Sequence, residues 1–343
     1  MPALAPITAA AFAALPTRAQ LRRVEQLARH ALPLFDLSPA SAIRLLNYSE
    51  NATYLVTPPA PAPQRVLRIN RHGYHPRNYI ATELSWVRAL KRDTSILTAE
   101  PLPGLDGEFI QHVWHPAVPE PRHCVLMTYL PGTEPDDTNR IDSFALLGEV
   151  TAQLHRHAAA WKPAHPILRE RWDFETMLGP DGHWGRWQNG LGMTPAICRH
   201  LARVLPILRH RVDKIGYARS RFGLIHADLR AANLLVHEGR VAVIDFDDCG
   251  HSWFIYDLAA ALSFIETHPD VPACIDAWLS AYTRHRPLSR PEIAEIPTFI
   301  LLRRLLLVAW IGSHADTVQA QAMGPRYTTD TCDLADAYLT KFA

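Results

Sequence analysis

The stretch Leu224-Ile-His-Ala-Asp-Leu-Arg-Ala-Ala-Asn-Leu-Leu-Val236, with the hairpin that runs on to Asp248, constrains this chain more than any other part of its 343 residues. An apolar pair leads into His226-Ala-Asp228, Asn233 follows five residues after the aspartate, and Leu234-Leu-Val236 has β character. The turn His237-Glu-Gly-Arg240 reverses the chain, and Val241-Ala-Val-Ile244 returns as a second strand ending on Asp245-Phe246-Asp247. Asp228 precedes the first strand and Asp245 closes the second, so the hairpin brings both carboxylates to one end, with Asn233 beside them. That set suits a magnesium ion carrying phosphate, which takes one or two protein oxygens and keeps its other positions for phosphates and water.

The order His-x-Asp-x-x-x-x-Asn, hairpin, Asp-Phe resembles the catalytic core of protein kinases. Ala227 stands where that triplet has arginine, and Asp245-Phe-Asp-Asp248 replaces Asp-Phe-Gly. In both respects the stretch is most similar to the aminoglycoside phosphotransferase and choline kinase-like superfamily, within it to the homoserine kinase-like and stress-response Ser/Thr kinases. The resemblance implies an α+β, bilobal protein-kinase-like fold. A small β-rich N-lobe with an N-terminal helix and a hinge would span residues 1–131, and a larger, mainly helical C-lobe residues 132–343. It implies ATP and Mg2+ as cofactors. Asp228 would orient the acceptor hydroxyl and take its proton, Asn233 and Asp245 would hold the metal, Arg230 would meet the γ-phosphate, and His226 would prop the loop. Asp247 and Asp248 are either further metal or substrate contacts or a plain polar turn. Asp257, in Ile255-Tyr-Asp-Leu258, matches a family aspartate that accepts backbone amides of the catalytic loop; it also suits an N-terminal helix cap.

Upstream, three strands are expected over 43–47, 52–57 and 65–69. The turn Ser49-Glu-Asn51, followed by Thr53-Tyr54-Leu-Val56, resembles the nucleotide-covering loop of the superfamily, which makes Asn51 and Tyr54 candidates for nucleotide contact. A helix over 78–91 carries Ile80, Leu84, Val87 and Leu90 on one face, and Glu83 shares that face. A carboxylate among apolar side chains needs a cation, because unpaired burial of charge is costly. Kinases use a strand lysine here, but no lysine precedes Lys91, so the expected partner is Arg68. Strands over 109–115 and 123–130 follow. Val125 to Gly132 looks like the hinge, with Met127, Thr128, Tyr129 and Leu130 as the adenine-facing segment through exposed backbone groups at 128–130.

The rest of the chain reads as a loose arm over 1–16, then a helix capped by Thr17 and ending before Pro33. An acidic stretch (Glu134, Asp136, Asp137) precedes a helix from about Asp142, with Phe144, Leu147, Val150, Leu154 and Trp161 on one face and His155 as a hydrogen-bonded core histidine. Trp172, Trp184 and Trp187, among Asp173, Glu175 and Asp181, form either a wall for a cationic or hydroxyl-bearing ligand or ordinary packing. One helix is expected over 194–218, and further helices over 271–286, 290–312 and 330–342. The apolar run Phe299–Ile311 contains Arg303 and Arg304, is too short to cross a bilayer, and reads as a buried helix.

A net charge of +1 offers no argument for nucleic acid or an anionic membrane as partner. Five isolated cysteines and a non-basic N-terminus point to reduced thiols in the cytoplasm. The expected activity is ATP- and Mg-dependent transfer of phosphate to a hydroxyl of an amino alcohol, a hydroxy amino acid or a protein Ser/Thr. The alternatives are an antibiotic phosphotransferase and, given the missing strand lysine, a nucleotide-binding pseudokinase. Nothing in the sequence indicates an oligomeric state.

Overall fold

The computed structural model describes residues 4–48, 50–135 and 139–343; Ser49 of the expected nucleotide-covering turn, and Asp136 and Asp137 of the acidic stretch, lie outside the described residues. The chain forms two compact units, residues 1–132 with 163–168, and residues 133–162 with 169–343. The first is rich in β-structure and the second is mainly helical, giving a mixed α+β chain.

The first unit opens with α1 (Ala9–Ala13), whose first turn is capped by the Thr8 side chain, so the segment expected as a loose arm contains a short helix. In α2 (Thr17–Ala31) Thr17 is the first helical residue and not the cap. Pro16 stands at that position; its carbonyl accepts the amides of Ala19 and Gln20, and as a proline it has no N–H to leave unpaired. Strands β1 (Ala42–Tyr48), β2 (Ala52–Thr57), β3 (Arg65–Ile69), β5 (Pro101–Leu102), β6 (Gln111–Val113) and β7 (Arg122–Thr128) form one sheet in the order β1-β2-β3-β7-β5, with β6 also paired to β7. The helix α3 (Arg77–Asp93) and the short β4 (Leu97–Thr98) lie between β3 and β5 in sequence.

Strand side chains alternate between faces. One face carries Tyr54, Val56, Leu67, Ile69, Cys124 and Leu126 in a cluster with Val24, Leu27 and Ala28 of α2. The other carries Val125, packed with Ile80 and Leu84 of α3. Arg68 pairs with Val125 in register and falls between Leu67 and Ile69, so the pleat turns its side chain away from α2 and towards α3.

In the second unit, α4 (Arg140–Ala160) packs closely on α9 (Val271–Thr283). Trp161, expected on the α4 face, follows the helix and is half-buried. After α5 (Phe174–Leu178), the helix expected over 194–218 is two, α6 (Pro195–Ala202) and α7 (Leu205–Ile215). Pro206 in the first turn of α7 has no amide to continue α6 and is suited to starting a new helix. Strand β8 (Phe222–Ile225) pairs with β11 (Gly250–Trp253), and β9 (Leu234–His237) forms a hairpin with β10 (Arg240–Val243). The hairpin loop, Glu238-Gly239, has φ of 49° and 73°, the paired positive values of a type I′ turn.

Helices α8 (Tyr256–Ala261), α10 (Arg290–Ala294), α11 (Ile296–Ser313) and α12 (Val318–Phe342) complete the unit. The last starts well before the expected position 330 and is interrupted at Gly324 (φ 56°), just before Pro325. At 18 residues α11 exceeds the apolar run read from the sequence and is long and apolar enough to cross a membrane, yet 78% of it is buried inside the protein. Arg304 is buried with it and donates to Glu266 at 2.7 Å, to Thr331 at 2.9 Å and to the Tyr327 carbonyl at 2.8 Å; the Tyr327 hydroxyl donates to Glu266 at 2.7 Å.

The contact of α4 with α9 depends on Gly148, where a Cβ would lie 2.3 Å from the Trp278 carbonyl oxygen. In an isolated helix Gly→Ala stabilises by about 0.5–1 kcal/mol. Here Gly148→Ala is expected to destabilise by about 1–3 kcal/mol, because two backbones must separate. Urea unfolding that shows a raised midpoint would contradict this packing.

Candidate active site

The loop after β8 is built around a carboxylate with no exposed surface. Asp257 accepts the amides of His226 at 3.2 Å and Ala227 at 2.8 Å, and its Oδ2 also meets His155 Nε2 at 2.9 Å. Ala227 has φ of 67°, a left-handed conformation costing a non-glycine residue about 1–2 kcal/mol, so the loop needs such an anchor. Asp257 does not cap α8, whose N-cap Ile255 shows no side-chain bond. His155 is the hydrogen-bonded core histidine expected: Nε2 donates to Asp257, and Nδ1 accepts from the Tyr282 hydroxyl at 2.8 Å.

His226 is fully buried against Phe246. Its Nε2 donates to the Ile244 carbonyl at 3.1 Å, which leaves Nδ1 to accept the Asp228 amide at 3.4 Å. Burial holds the imidazole below its ordinary value, against the pull of Asp257 and Asp228. The histidine thereby ties the loop to the end of β10, and the Ile244 amide donates to the Asn233 carbonyl at 3.0 Å. Asn233 and Asp245 are thus brought together across the open end of the hairpin.

Asp228 keeps 17% of its side chain exposed and is surrounded by donors. Asn233 Nδ2 donates to its Oδ2 at 3.0 Å and to its carbonyl at 2.8 Å, and Arg230 Nε reaches Oδ1 at 3.2 Å. The shortest contact to the carboxylate comes from a residue that the motif does not contain: Arg303 Nη2 donates to Oδ1 at 2.8 Å. Burial would push the Asp228 carboxyl up, but Arg230 and Arg303 together hold it below the usual carboxylate value. The signal for Arg303 was present in the sequence as a charge inside an apolar helix, which requires a buried anion.

A second missed residue is Arg169, buried, which donates to the carbonyls of Asp247 and Cys249. Trp172 Nε1 adds a bond to the Asp248 carbonyl at 2.8 Å. The segment after Asp245 is therefore braced through its backbone by the tryptophan-rich insert. Trp172, Trp184 and Trp187 are all buried, Asp173 caps α5, and Glu175 pairs with Arg209.

In the β-rich unit, Arg68 and Glu83 form a two-pronged pair at 2.8 and 2.7 Å, both buried. A planar guanidinium matches both carboxylate oxygens, as a lysine ammonium cannot. Asn51 Oδ1 accepts the Arg71 amide at 3.1 Å. Tyr54 is a core residue at 3% exposure, its hydroxyl pKa raised by burial and by Glu25, and its strand is paired on both sides, with Leu45 of β1 and Leu67 of β3, so neither its side chain nor its backbone is presented to a nucleotide. Met127 is half-buried near the end of β7, opposite Val66 and Pro101. The Thr128 amide donates to the Glu100 carbonyl at 2.9 Å, which removes it from the expected adenine edge. Tyr129 and Leu130 lie beyond the strand, the first exposed and the second half-buried.

Among the described residues no group of three or more histidine, cysteine or carboxylate side chains could hold a metal. The donor set at the hairpin end nevertheless fits a hard cation. Asn233 commits its Nδ2 to Asp228, which leaves Oδ1 as a ligand, and Asp245 is exposed beside it. Two oxygens of this kind suit a cation completed by phosphate and water.

Burial holds both His155 and His226 below the ordinary value of 6.5, so the folded chain keeps them neutral. Below about pH 6.5 the unfolded chain binds protons that the folded one refuses. Stability is accordingly complete above that value and lost as pH falls towards the folded values. Thermal melting should be flat near neutrality and fall from about pH 6.5 downwards, with a shallower fall in His155→Gln. A melting temperature unchanged across this range would mean that the histidines are charged in the fold.

The family model described as the phosphotransferase enzyme family matches residues 42–293. Amicoumacin kinase of Bacillus subtilis (strain 168) is 25% identical over 266 residues, covering 73% of this chain and 74% of that protein. Among solved structures, a microcompartment-associated aminopropanol kinase is 38% identical with a TM-score of 0.85, over 92% of this chain and 98% of that one. An amicoumacin kinase in complex with AMP-PNP, Ca2+ and Ami shares the fold at a TM-score of 0.75 and 21% identity, over 92% and 96% of the two chains. With the family match running through most of its length and both of its units, this chain belongs to the phosphotransferase enzyme family and is a kinase.

Proposed function

We propose that this kinase uses ATP and Mg2+ to phosphorylate the hydroxyl of a small molecule of the amino alcohol or hydroxy amino acid type. The observation that carries this reading is the Asp228 carboxylate, held ionised by Arg230, Asn233 and Arg303 at the hairpin end that also carries Asp245. The kinship with an aminopropanol kinase supports the small amino alcohol as acceptor. Kinship with amicoumacin kinase, at lower identity, supports an antibiotic acceptor as the second reading. Kinship with kinases speaks against the pseudokinase alternative, and the buried Arg68–Glu83 pair supplies a cation of the kind that the missing strand lysine would have given.

In this reading residues 1–131 form the nucleotide-binding lobe and residues 132–343 the catalytic and acceptor-binding lobe. Asp228 accepts the hydrogen bond of the acceptor hydroxyl and aims its oxygen at the γ-phosphorus. The new O–P bond forms as the bond to the β-phosphate oxygen breaks, ADP leaves, and the hydroxyl proton passes to the carboxylate. Asn233 and Asp245 would hold the cation, which would supply neutralisation of the charge developing on the phosphates. Arg230, with 29% of its side chain exposed, meets the γ-phosphate, and Arg68 contributes positive charge to the nucleotide site. Asn51 and residues 127–130 beyond the committed Thr128 amide supply the remaining nucleotide contacts. The five free cysteines suit a cytoplasmic enzyme.

Asp228→Asn is expected to slow transfer to amino alcohol and hydroxy amino acid acceptors by roughly 100-fold or more while nucleotide binding persists. Asp245→Ala should instead abolish Mg2+-dependent nucleotide binding in a titration. Near-normal turnover in the first variant, or unchanged metal-dependent affinity in the second, would overturn these roles.

Arg68→Met leaves Glu83 buried without its cation, at a cost of about 3–5 kcal/mol. ATP affinity and turnover should fall together, because the charge acts on ground and transition states alike. Arg68→Lys is expected to recover only part of both, since one ammonium cannot span the two oxygens that the guanidinium now bridges. Unaltered ATP affinity in Arg68→Met would remove this residue from the nucleotide site.

A further inference from the structure

We propose that Arg303 is a positioning residue for phosphoryl transfer, holding the Asp228 carboxylate in its working orientation while Arg230 is engaged with phosphate. The inference rests on the reading of Asp228 given above.

Two arginines touch Asp228, and they are held very differently. Arg230 is partly exposed, reaches the carboxylate through Nε at 3.2 and 3.4 Å, and has the Phe264 ring 5.5 Å away. Such a side chain can leave the carboxylate for an incoming phosphate. Arg303 has 2% of its side chain exposed, and its guanidinium is fixed on several sides. Nε donates to Ser263 Oγ at 3.0 Å, Nη1 donates to the Tyr256 hydroxyl at 3.2 Å and the Ala227 carbonyl at 3.4 Å, and Trp184 lies 5.2 Å away. The Ser263 hydroxyl is oriented in turn by donating to the Ala260 carbonyl at 2.7 Å. With Nε and Nη1 occupied, Nη2 is left pointing at Asp228 Oδ1.

The adjacent Arg304 provides the comparison. It is equally buried in α11, but its partners are Glu266, Thr331 and the Tyr327 carbonyl, and none of them belongs to the candidate site. Successive residues on a helix point about 100° apart, so one arginine closes a structural pair and the other reaches the reacting carboxylate. Arg303 also bonds the carbonyl of Ala227, whose amide Asp257 holds, so the strained residue is gripped at both ends.

The test is a double-mutant cycle on the full-length enzyme with ATP, Mg2+ and the small amino alcohol that it turns over best. Arg303→Met should lower kcat by about 10- to 100-fold, the scale of a misplaced reacting group. The KM for ATP and Mg2+-dependent nucleotide affinity should stay within about twofold, because Arg303 itself bonds Ser263, Ala227, Tyr256 and Asp228 and none of the residues assigned to the metal or the nucleotide. Arg303→Lys should restore part of kcat. In the Asp228→Asn background, Arg303→Met should cost nothing further, because the group through which it acts is already gone. If Arg303→Met proves unfolded by its melting curve, Ser263→Ala replaces it in the cycle, with a smaller kcat loss expected and the same absence of effect beside Asp228→Asn. Full kcat in the single variant, or the same fold-loss in both backgrounds, overturns the proposal and leaves Arg303 a packing residue. A wild-type enzyme that transfers no phosphate, or an Asp228→Asn enzyme as fast as wild type, overturns the underlying reading, and the inference with it.

Discussion

The helical unit depends on the acceptance of two backbone amides by one buried carboxylate. Asp257 holds His226 and Ala227 in place, and Ala227 occupies a left-handed conformation that an alanine adopts only when its surroundings impose it. From that anchor the loop extends through His226 to Ile244 and through Asn233 to Asp228. His155 and Tyr282 extend it into the packed helices α4 and α9. The exposed face of the site is thus attached to the interior by hydrogen bonds among groups that water does not reach, where each bond is stronger and each missing partner more costly.

Buried arginine is the recurring device. Arg68 meets Glu83, Arg304 meets Glu266, and Arg303 meets Asp228, each guanidinium at least 95% buried with its side-chain carboxylate close by. Lysine is rare in the chain, and the guanidinium suits the substitution because it is weakly hydrated and offers several donors in a rigid plane. Its rigidity also fixes direction. A guanidinium held at two of its nitrogens aims the third, which is how Arg303 comes to point at Asp228.

The hairpin motif was legible because it is local: strand, two-residue turn and strand lie within a short stretch, and the alternation decides which ends meet. The same holds for Glu83, placed on an apolar helix face by its spacing, and for Arg68, which the pleat sends to the face opposite Leu67 and Ile69. Errors clustered where local signals compete. Thr17 looked like a cap, but Pro16 took that position, and an apolar periodicity that continued past Pro206 hid a break between two helices. Thr128 looked available at a strand end, yet its amide is taken by Glu100, a partner 28 residues away.

The sequence by itself determined the order of the polar groups, the hairpin that gathers Asp228, Asn233 and Asp245, and the need for a cation beside Glu83. These follow from backbone periodicity and from the cost of burying unpaired charge, both readable over a few residues. Only the tertiary structure decided that Arg303, 75 residues beyond Asp228, reaches it, and that Arg169 braces the turn after Asp245. It also decided that the tryptophans of the insert are buried. A buried arginine announces in the sequence that it must have an anion, but which anion depends on how α11 is rotated in its bed of helices. That rotation is set by the packing of the whole unit, which no short stretch of the chain encodes.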